Sequence, residues 1–513
     1  MPPMIFTSLP FPLKRGVIKI LTTSEILEFI LNDQESSKKK QAKKGVAYYE
    51  GDHDIKDYKL YYYNADGKLT EDKTRSNVKI SHPFFTELVD QAVQYMLSGK
   101  DGIIKSDLPE LQTHLNEYFN DNENFTSELY ELLTGGIVKG FEYMYAYRNA
   151  DNKLAFQCAD SIGVVEAEKK YTSDGKDYII FWYVERINRE GQTVKRVQVW
   201  NDAETHYYTQ IDDGELVKDE STAEEPNPRP SVIYKKDNDD NTYYEGLGFI
   251  PFFRFDNCKK QFSGLKSIKA IIDDYDLHAC SLSNNLVDFD TPIYAVRGFQ
   301  GNDLEELIQN VKVKKHIGLD AEGGIDVQTV DIPFEARTIK LELDEKNIYR
   351  FGMGLNTAQI GDGNVTNVVI KSRYALLDLK CNKLEIKLTQ FLRKIVKIVI
   401  DEINLNNETD YQMKDVYFNF EREVMTNAQD NAQIELIHAQ RKQTEINTLL
   451  GLAEMLDNET IVQSICDILE IDYEEIKSKL PKKPDAEIDD AQNALNGVNA
   501  NEQTTEGNSP VTA

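Results

Sequence analysis

The sequence predicts an α+β protein in which long helices flank a β-rich region and a small α/β insert. Short segments rich in β-branched and aromatic residues, separated by turn residues, run from about 153 to 211. A heptad pattern of apolar residues follows at 265–289, and a second long helical pattern follows at 366–404. Long helices and hairpins in separate parts of one chain are typical of the α+β class.

Helical patterns dominate the chain before the β-rich region. Thr22 and Glu25 have the spacing of a capping box ahead of a helix at about 24–32. A basic run at 38–44 indicates a solvated helix face. Apolar residues at intervals of three and four predict a helix that begins after Pro83 and stops near Gly99, and another helix at 125–135.

The β-rich region is predicted to consist of antiparallel hairpins. Its short strands alternate with turn sequences at 172–177, 188–192 and 212–215. A polar, proline-rich stretch at 218–232 is predicted to be an exposed loop. The segment 248–257 then closes the region as a strand.

The heptad pattern indicates a helix with a narrow apolar stripe and wide polar faces. Such a helix suits packing against other long helices. The members of the stripe, which we call the seam, are three and four residues apart in alternation: Leu265, Ile268, Ile272, Tyr275, Ala279, Leu282, Leu286 and Phe289. Packing within one subunit and packing between subunits are both compatible with this pattern.

A hairpin of helices with a small domain at its tip follows from the next segments. A β-α-β-β insert is predicted at about 291–331, ahead of another helix near 337–351. The glycine-rich stretch 352–364 is predicted to be a polar loop between two helices. An ordinary connection and a loop that protrudes and can change shape are both compatible with its sequence. The long helix after it carries eight basic and two acidic residues at 371–397, a local charge of +6 in a chain whose net charge is −28.

The C-terminal part is predicted to be helical and then disordered. After a short return strand, helices are predicted at about 428–440, 445–456 and 459–469, with a last helical turn before Pro481. Residues 482–513 contain almost no large apolar side chains, and this composition predicts disorder.

The composition argues against several classes of protein. A net charge of −28, from 59 basic and 87 acidic residues, disfavours a surface that binds nucleic acid or anionic lipid broadly. The five cysteines lack the spacing of a disulfide framework or a zinc site. No apolar run reaches the ~18 residues of a membrane span, and the N-terminus lacks the apolar core of a signal peptide. We therefore expect a protein that is neither exported nor inserted in a membrane.

No pattern of catalytic or ligand-binding residues is present in the sequence. Gly361 and Gly363 are not followed by the Gly-Lys-Ser/Thr of a phosphate loop, and Thr366 stands where a dinucleotide fingerprint requires glycine. The segment 237–248 does not complete a calcium loop, and the histidines form no i, i+4 pair. The chain is therefore expected to be no enzyme and to use no cofactor or metal. An enzyme with an unrecognised site is the alternative from another class.

The order of the elements resembles that of the portal proteins of tailed bacteriophages, specifically of long-tailed phages of Gram-positive hosts. The resemblance runs from about residue 48 to 481, and its most specific segments are YYEGDHDI (48–55), 77–99 and 351–385. Thr366 and Asn367 depart from the family pattern, in which a small residue followed by glycine is expected. The departure obscures the position of a hinge and leaves the assignment intact.

The resemblance implies a portal fold with long stem and spine helices. Its parts would be a β-rich wing at 1–262, a first stem helix at 263–290, a clip at 291–333, a second stem helix at 334–353, a tunnel loop at 354–365, a spine helix with a return to the wing at 366–425, a crown at 426–481 and a disordered tail at 482–513. Portals form a ring, usually of twelve subunits, at one capsid vertex. The ring is the channel for genome packaging, DNA retention and ejection.

The resemblance also implies three groups of functional residues. The tunnel loop would face DNA through Asn356, Thr357, Gln359, Gly361, Asp362, Gly363 and Asn364. The clip would dock other proteins through Arg297, Lys312, Lys314 and Lys315. The seam would pack between subunits through Leu265, Ile268, Ile272, Tyr275, Ala279, Leu282 and Leu286.

The implied partners follow from the same resemblance. They are further copies of the chain, double-stranded DNA that passes without sequence specificity, the terminase large subunit, a head-completion or adaptor protein, and the major capsid and scaffolding proteins. The implied location is the virion, after assembly in the host cytoplasm. The acidic composition suits a channel, because each phosphate contact adds friction and the repelling field reaches about 8 Å. Another structural or adaptor protein of the virion, without a DNA channel, is the alternative.

Overall fold

The computed structural model describes residues 20–99, 101–149, 153–169, 176–222, 226–230, 232–236, 242–246, 249–289, 293–299, 304–310, 317, 319–328, 333–356, 367–422, 428–452, 455, 457–469 and 471–473. The chain divides into two compact units. One unit comprises Met1–Asn364 and Val368–Val424, and the other comprises Val365–Asn367 and Met425–Ala513.

Helices of very different lengths occur along the described residues. In chain order they are α1 (Thr23–Gln34), α2 (Ser37–Tyr49), α3 (Phe84–Met96), α4 (Pro109–Leu115), α5 (Glu123–Lys139), α6 (Lys269–Phe289), α7 (Leu304–Gln309), α8 (Phe334–Gly352), α9 (Asn367–Asn407), α10 (Ala428–Gly451) and α11 (Asn458–Leu469). The 41 residues of α9 span about 60 Å at 1.5 Å per residue. In the second unit, α10 and α11 lie against each other.

The strands are mostly short. They are β1 (Tyr61–Tyr63), β2 (Leu69–Glu71), β3 (Ile104–Lys105), β4 (Phe141–Arg148), β5 (Leu154–Ala159), β6 (Val164–Lys169), β7 (Lys176–Ile187), β8 (Thr193–Trp200), β9 (Glu204–Ile211), β10 (Leu216–Lys218), β11 (Arg229–Pro230), β12 (Val232–Lys236), β13 (Thr242–Gly246), β14 (Phe252–Asp256), β15 (Ile293–Phe299), β16 (Leu319–Gln328) and β17 (Tyr417–Phe418).

The predicted β-rich region is present as antiparallel hairpins. Its main sheet has the strand order β10-β9-β8-β7-β6, with β11 paired to β9. A second sheet, β14-β4-β5, joins strands that lie far apart in the sequence, and β14 is the predicted closing strand. Smaller pairs are β1-β2, β12-β13, β15-β16 and β17-β3. One face of the main sheet packs its apolar side chains against α1.

The large core of the first unit is built around α3, α5 and α9. The buried face of α9 is the one that the sequence predicts, because its apolar residues recur every three or four positions. Its members are all buried: Leu377, Cys381, Leu384, Leu388, Phe391, Ile395 and Val399. They contact the buried faces of α3 and α5, so the three helices hold one another in place.

Several helix boundaries agree with the sequence, and two do not. The capping box of α1 is present, with Thr22 N–H donating to Glu25 Oε2 at 2.9 Å. The predicted stop of α5 at Gly135 is wrong, since the helix continues to Lys139. Gly135 and Gly136 are glycines of close packing, because a β-carbon there would meet Glu142 and the ring of Phe255. The two helices predicted at 428–440 and 445–456 are one helix, α10, which ends at the first glycine it reaches.

The solvated helix face predicted at 38–44 is wrong at one residue. Lys39 of α2 is buried, with an ion pair to Asp33 at 3.0 Å and a hydrogen bond from its Nζ to the carbonyl of Val164 at 2.7 Å. Burial lowers the pKa of Lys39 even though Asp33 favours its charge. A lysine in a basic run is therefore used here to join α2 to the β-rich region.

The small insert is simpler than predicted. Residues 319–328 form one continuous strand, β16, where the sequence suggested two strands separated near Gly323. Gly323 instead faces a bulge in β15, where a β-carbon at Gly323 would lie 2.8 Å from the carbonyl of Arg297. The glycine thus permits a close approach of two backbones and does not mark a turn.

Candidate functional site

The helices predicted as stem helices, α6 and α8, form an antiparallel hairpin. Lys340 of α8 pairs with Asp274 of α6 at 2.5 Å. Arg337, earlier in α8, donates to Ser281, later in α6, at 3.2 Å. Burial opposes the charge of Lys340, but hydrogen bonds to Asp274 and Asp344 outweigh burial and raise the lysine pKa. Charged side chains thus hold the two helices together along their length.

The seam divides into an inner and an outer part. Leu265 lies in a short 3-10 turn ahead of α6, and with Ile268 and Ile272 it is buried in the core of its own subunit. Further along α6, the seam residues Tyr275, Ala279 and Leu282 are half-buried, and Leu286 is 51% exposed. Leu265, Ile268 and Ile272 already pack against other parts of their own subunit. Packing of the seam between subunits stays a prediction, and it concerns the outer part.

The hairpin and α9 expose a second set of apolar side chains that the sequence analysis did not single out. On α8, Ile339 and Leu343 are exposed one turn apart. On α9, the exposed side, opposite the core, carries what we call the outer stripe: Val369, Leu376, Leu379 and Ile386. The four residues of the outer stripe are seven, three and seven positions apart, and this heptad-like spacing could have identified them in the sequence. The exposed side of α9 thus carries apolar side chains among its basic residues, and these apolar side chains are open in a single copy.

A buried carboxylate lies at the base of α6. Asp276 is fully buried, with His53 Nδ1 at 2.6 Å from one oxygen and His82 Nδ1 at 2.7 Å from the other. The His82 backbone N–H also donates to Asp276 at 3.0 Å. The ring of His53 stacks on Tyr48 at 4.4 Å between centroids. We call Asp276, His53 and His82 the Asp276 cluster.

The pKa of Asp276 reflects two opposing effects. Burial by itself would raise the pKa, because a carboxylate loses its hydration. The hydrogen bonds from His53 and His82, together with the charge interaction with His53, outweigh burial, and the pKa lies below its usual value of 3.8. The cluster therefore holds a buried charge and ties two segments near the N-terminus to α6.

The predicted tunnel loop lies mostly outside the described residues. Asn356 is described, and its side-chain amide donates to Glu345 of α8 at 3.0 Å. The other predicted loop residues lie outside the described residues: Thr357, Gln359, Gly361, Asp362, Gly363 and Asn364. Their position near DNA stays a prediction. The helix before them, α8, ends at Gly352, and Met353 directly after it lies in the left-handed region at φ 56°.

The predicted docking surface of the clip is described at one of its four residues. Arg297 in β15 is exposed and pairs with Asp326 of the neighbouring strand at 2.9 Å. Lys312, Lys314 and Lys315 lie outside the described residues. The docking role of these four residues stays a prediction.

The described residues hold no group of three histidine, cysteine or carboxylate side chains that could bind a metal ion. All five cysteines are free thiols: Cys158, Cys258, Cys280, Cys381 and Cys466. Among the helices of the described residues, none combines the length and apolar character that crossing a membrane requires.

Comparisons with known proteins identify the family. A family model for "Phage portal protein, SPP1 Gp6-like" matches residues 28–478. The portal protein of Bacillus phage SPP1 is 27% identical over 351 residues, which cover 68% of this chain and 67% of that protein. The portal protein of Clostridium phage phiCD119 is 27% identical over 407 residues, which cover 73% of this chain and 84% of that protein.

A solved structure is also similar to this chain. It is the neck of a native GTA particle computed with C12 symmetry, with a TM-score of 0.35 and 13% sequence identity. The match covers 76% of this chain and 90% of the solved chain. The family match spans most of the sequence, and it confirms both the predicted α+β portal fold and the resemblance to portal proteins. This chain belongs to the SPP1 Gp6-like family of phage portal proteins.

Proposed function

We propose that copies of this chain form a closed ring of twelve subunits at one capsid vertex, and that double-stranded DNA passes through it without sequence-specific contacts. Phage portal proteins are components of the virion, and family membership supports a ring. The observation that carries the proposal is the open apolar surface of α6, α8 and α9, which includes Leu286 on α6. Burial of such surface stabilises association by about 25 cal/mol per Å² before the costs of binding are counted.

The charge of the chain supports passage of DNA without tight binding. A subunit charge of −28, repeated around a ring, repels the phosphates of DNA. This repulsion limits friction between the ring and the moving DNA. In this proposal the chain has no catalytic role. The terminase large subunit supplies the packaging motor, and a head-completion or adaptor protein docks after packaging. The major capsid and scaffolding proteins surround the ring, which assembles in the host cytoplasm.

The mass of the purified assembly tests the ring. Native mass spectrometry should give a closed oligomer, and Leu286→Asp should lower its stability toward dilution at least about tenfold, because an ion that is desolvated without a partner costs several kcal/mol. Leu286 is 51% exposed in one subunit, so the substitution leaves the subunit fold intact. Leu31→Asp on α1, where the leucine is 67% exposed, is the matched control and should assemble normally.

Two outcomes contradict the ring. A stable monomer of the unmodified chain over a range of salt concentrations would exclude a portal ring. Equal assembly of Leu286→Asp and Leu31→Asp would exclude the outer part of the seam from the interface. A closed ring that DNA cannot enter would favour the alternative, a structural or adaptor protein without a channel.

Reversal of charge in the clip tests docking of the motor. We expect Lys314→Glu with Lys315→Glu to lower the yield of packaged DNA at least about tenfold while rings still form, since complementary charge governs association with a partner. Packaged DNA is measured by nuclease protection in particles that carry the variant. Lys259→Glu with Lys260→Glu, an exposed adjacent pair outside the clip, is the control. Normal packaging by the clip variant would remove these two lysines from the docking surface.

A further inference from the structure

The backbone just after α8 is held by a side chain of α3. Leu355 N–H donates to Gln91 Oε1 at 3.0 Å, and Gln91 Nε2 donates to the Leu355 carbonyl at 2.9 Å. One side-chain amide thus pairs with both backbone groups of one residue, much as a neighbouring strand would. Leu355 itself is buried. We call residues 353–356, where the chain leaves α8, the loop root.

The orientation of Gln91 is fixed by its other contacts. Gln91 Nε2 also donates to Glu87 Oε1 at 3.0 Å, and Glu87 Oε2 accepts a hydrogen bond from Tyr349 of α8 at 2.5 Å. A reversed amide would turn the Gln91 oxygen toward the Glu87 carboxylate and its N–H groups toward the Leu355 N–H. The observed orientation therefore satisfies every donor and acceptor of the amide.

A second contact holds the end of α8 itself. Lys380 of α9 donates to the carbonyl of Gly352 at 3.2 Å and to that of Leu88 at 3.0 Å. Burial lowers the pKa of Lys380 to about 8. These bonds join the last residue of α8 to both α3 and α9. The end of the helix is thus bound by a charged donor, which suits the negative end of a helix dipole.

Glycines let the loop root approach α3 closely. A β-carbon at Gly352 would lie 2.5 Å from a methyl carbon of Leu88, and one at Gly354 would lie 2.1 Å from the other. Leu88 is itself in the main core. The backbone at the loop root therefore rests directly on a rigid helix.

We propose that Gln91 is a positioning residue for the passage of DNA: it fixes the loop root, residues 353–356, to the core of the subunit. This inference rests on the proposed function and on the prediction that residues 357–364 lie near DNA. Force on the loop from moving DNA then passes through Leu355 into α3. Without the Gln91 contact, Lys380 would still hold the end of α8, but the same force would shift the loop root beyond it.

The test removes the amide and keeps the shape of the side chain. In Gln91→Met the length of the side chain and the helix propensity are nearly unchanged, but both hydrogen bonds to Leu355 are lost. Gln94→Met, an exposed position one turn further along α3, is the matched control. If Gln91→Met does not fold, Gln91→Asn serves instead, because its amide is one methylene too short to reach Leu355.

Two measurements are made on the full-length ring. Hydrogen exchange of the Leu355 amide should be about tenfold faster in Gln91→Met, since each lost hydrogen bond is worth roughly a factor of five to ten. Amides in the middle of α3 and the thermal stability of the ring should not change. Particles with the variant should retain at least about tenfold less DNA than particles with Gln94→Met, by nuclease protection.

The outcomes separate the inference from the function on which it rests. Faster exchange together with DNA loss supports the inference. Unchanged exchange at Leu355 shows that Gln91 does not hold the loop root, and faster exchange with normal DNA retention shows that the hold has no role in DNA passage. Either result overturns the inference about Gln91. The proposed function still stands in both cases if the unmodified chain forms a ring that packages DNA. If the unmodified chain forms no ring, the proposed function fails, and the DNA role of Gln91 fails with it.

Discussion

Replacement of Asp276 by alanine is expected to lower the free energy of unfolding of the subunit by about 3–5 kcal/mol. The carboxylate is fully buried, so its loss leaves the buried ring of His53 and the partly exposed ring of His82 without their acceptor. Denaturant unfolding of the variant and the unmodified chain at equal concentration measures the difference. Asp274→Ala, two residues earlier in α6 and on a different side of the helix, is the control. Asp274 is more exposed, so that substitution should cost less than about 1 kcal/mol.

The effect of Asp276→Ala should depend on pH. Because the pKa of Asp276 is below 3.8 in the folded chain, its contribution is complete above pH 3.8 and is lost as the pH falls through the folded pKa. Tyr275 and Cys280, which lie near the carboxylate, stay neutral in this range because their pKa values are raised. The difference between the two proteins should therefore shrink only in strong acid. A difference under about 1 kcal/mol at neutral pH would show that the cluster is not a stabilising contact.

The second large effect is expected from the loop glycines. Gly361→Ala with Gly363→Ala should leave ring and procapsid formation intact but stall DNA translocation or let packaged DNA leak. Alanine narrows the backbone states open to the loop, at a cost of order 1 kcal/mol or more wherever positive φ is required. Translocation rates and nuclease protection in particles that carry the variant measure the effect.

Asp362→Lys is the matched comparison, because it alters charge and leaves both glycines in place. It should slow DNA by adding a phosphate contact, and the slowing should weaken as salt rises. The glycine variant should not show this salt dependence. If both variants translocate and retain DNA at the unmodified rate, the loop is only a connection between α8 and α9.

Periodicity and helix-stop residues predicted the long helices well. The buried stripe of α9 and the ends of α3 and α8 follow from spacing, proline and glycine, which are local signals. Glycine was a misleading helix-stop signal where the contact that requires it comes from residues distant in the sequence. Gly135 and Gly136 lie inside α5 and are glycines because Glu142 and Phe255 occupy the space beside them, and neither contact is visible in the local pattern.

The contacts of the candidate site were predictable only in part. The seam was visible as a heptad pattern, but the burial of Leu265, Ile268 and Ile272 within one subunit depends on which helices lie against α6. The hold of Gln91 on Leu355 joins residues 264 positions apart and has no sequence signature. From the sequence alone, a single glutamine in an amphipathic helix is predicted to be a surface residue. Its contact with Leu355 is known only from the tertiary structure.

The Asp276 cluster has a consequence for how the chain is made. His53 precedes Asp276 by 223 positions, and His82 precedes it by 194. At a synthesis rate of roughly 5–20 residues per second, the ribosome makes both histidines on the order of ten to forty seconds before their shared carboxylate. Throughout that interval the Asp276 carboxylate, to which His53 and His82 bind, has not been synthesised. The nascent chain therefore completes this part of its fold only after the ribosome has passed the start of α6, long after the segments themselves have emerged.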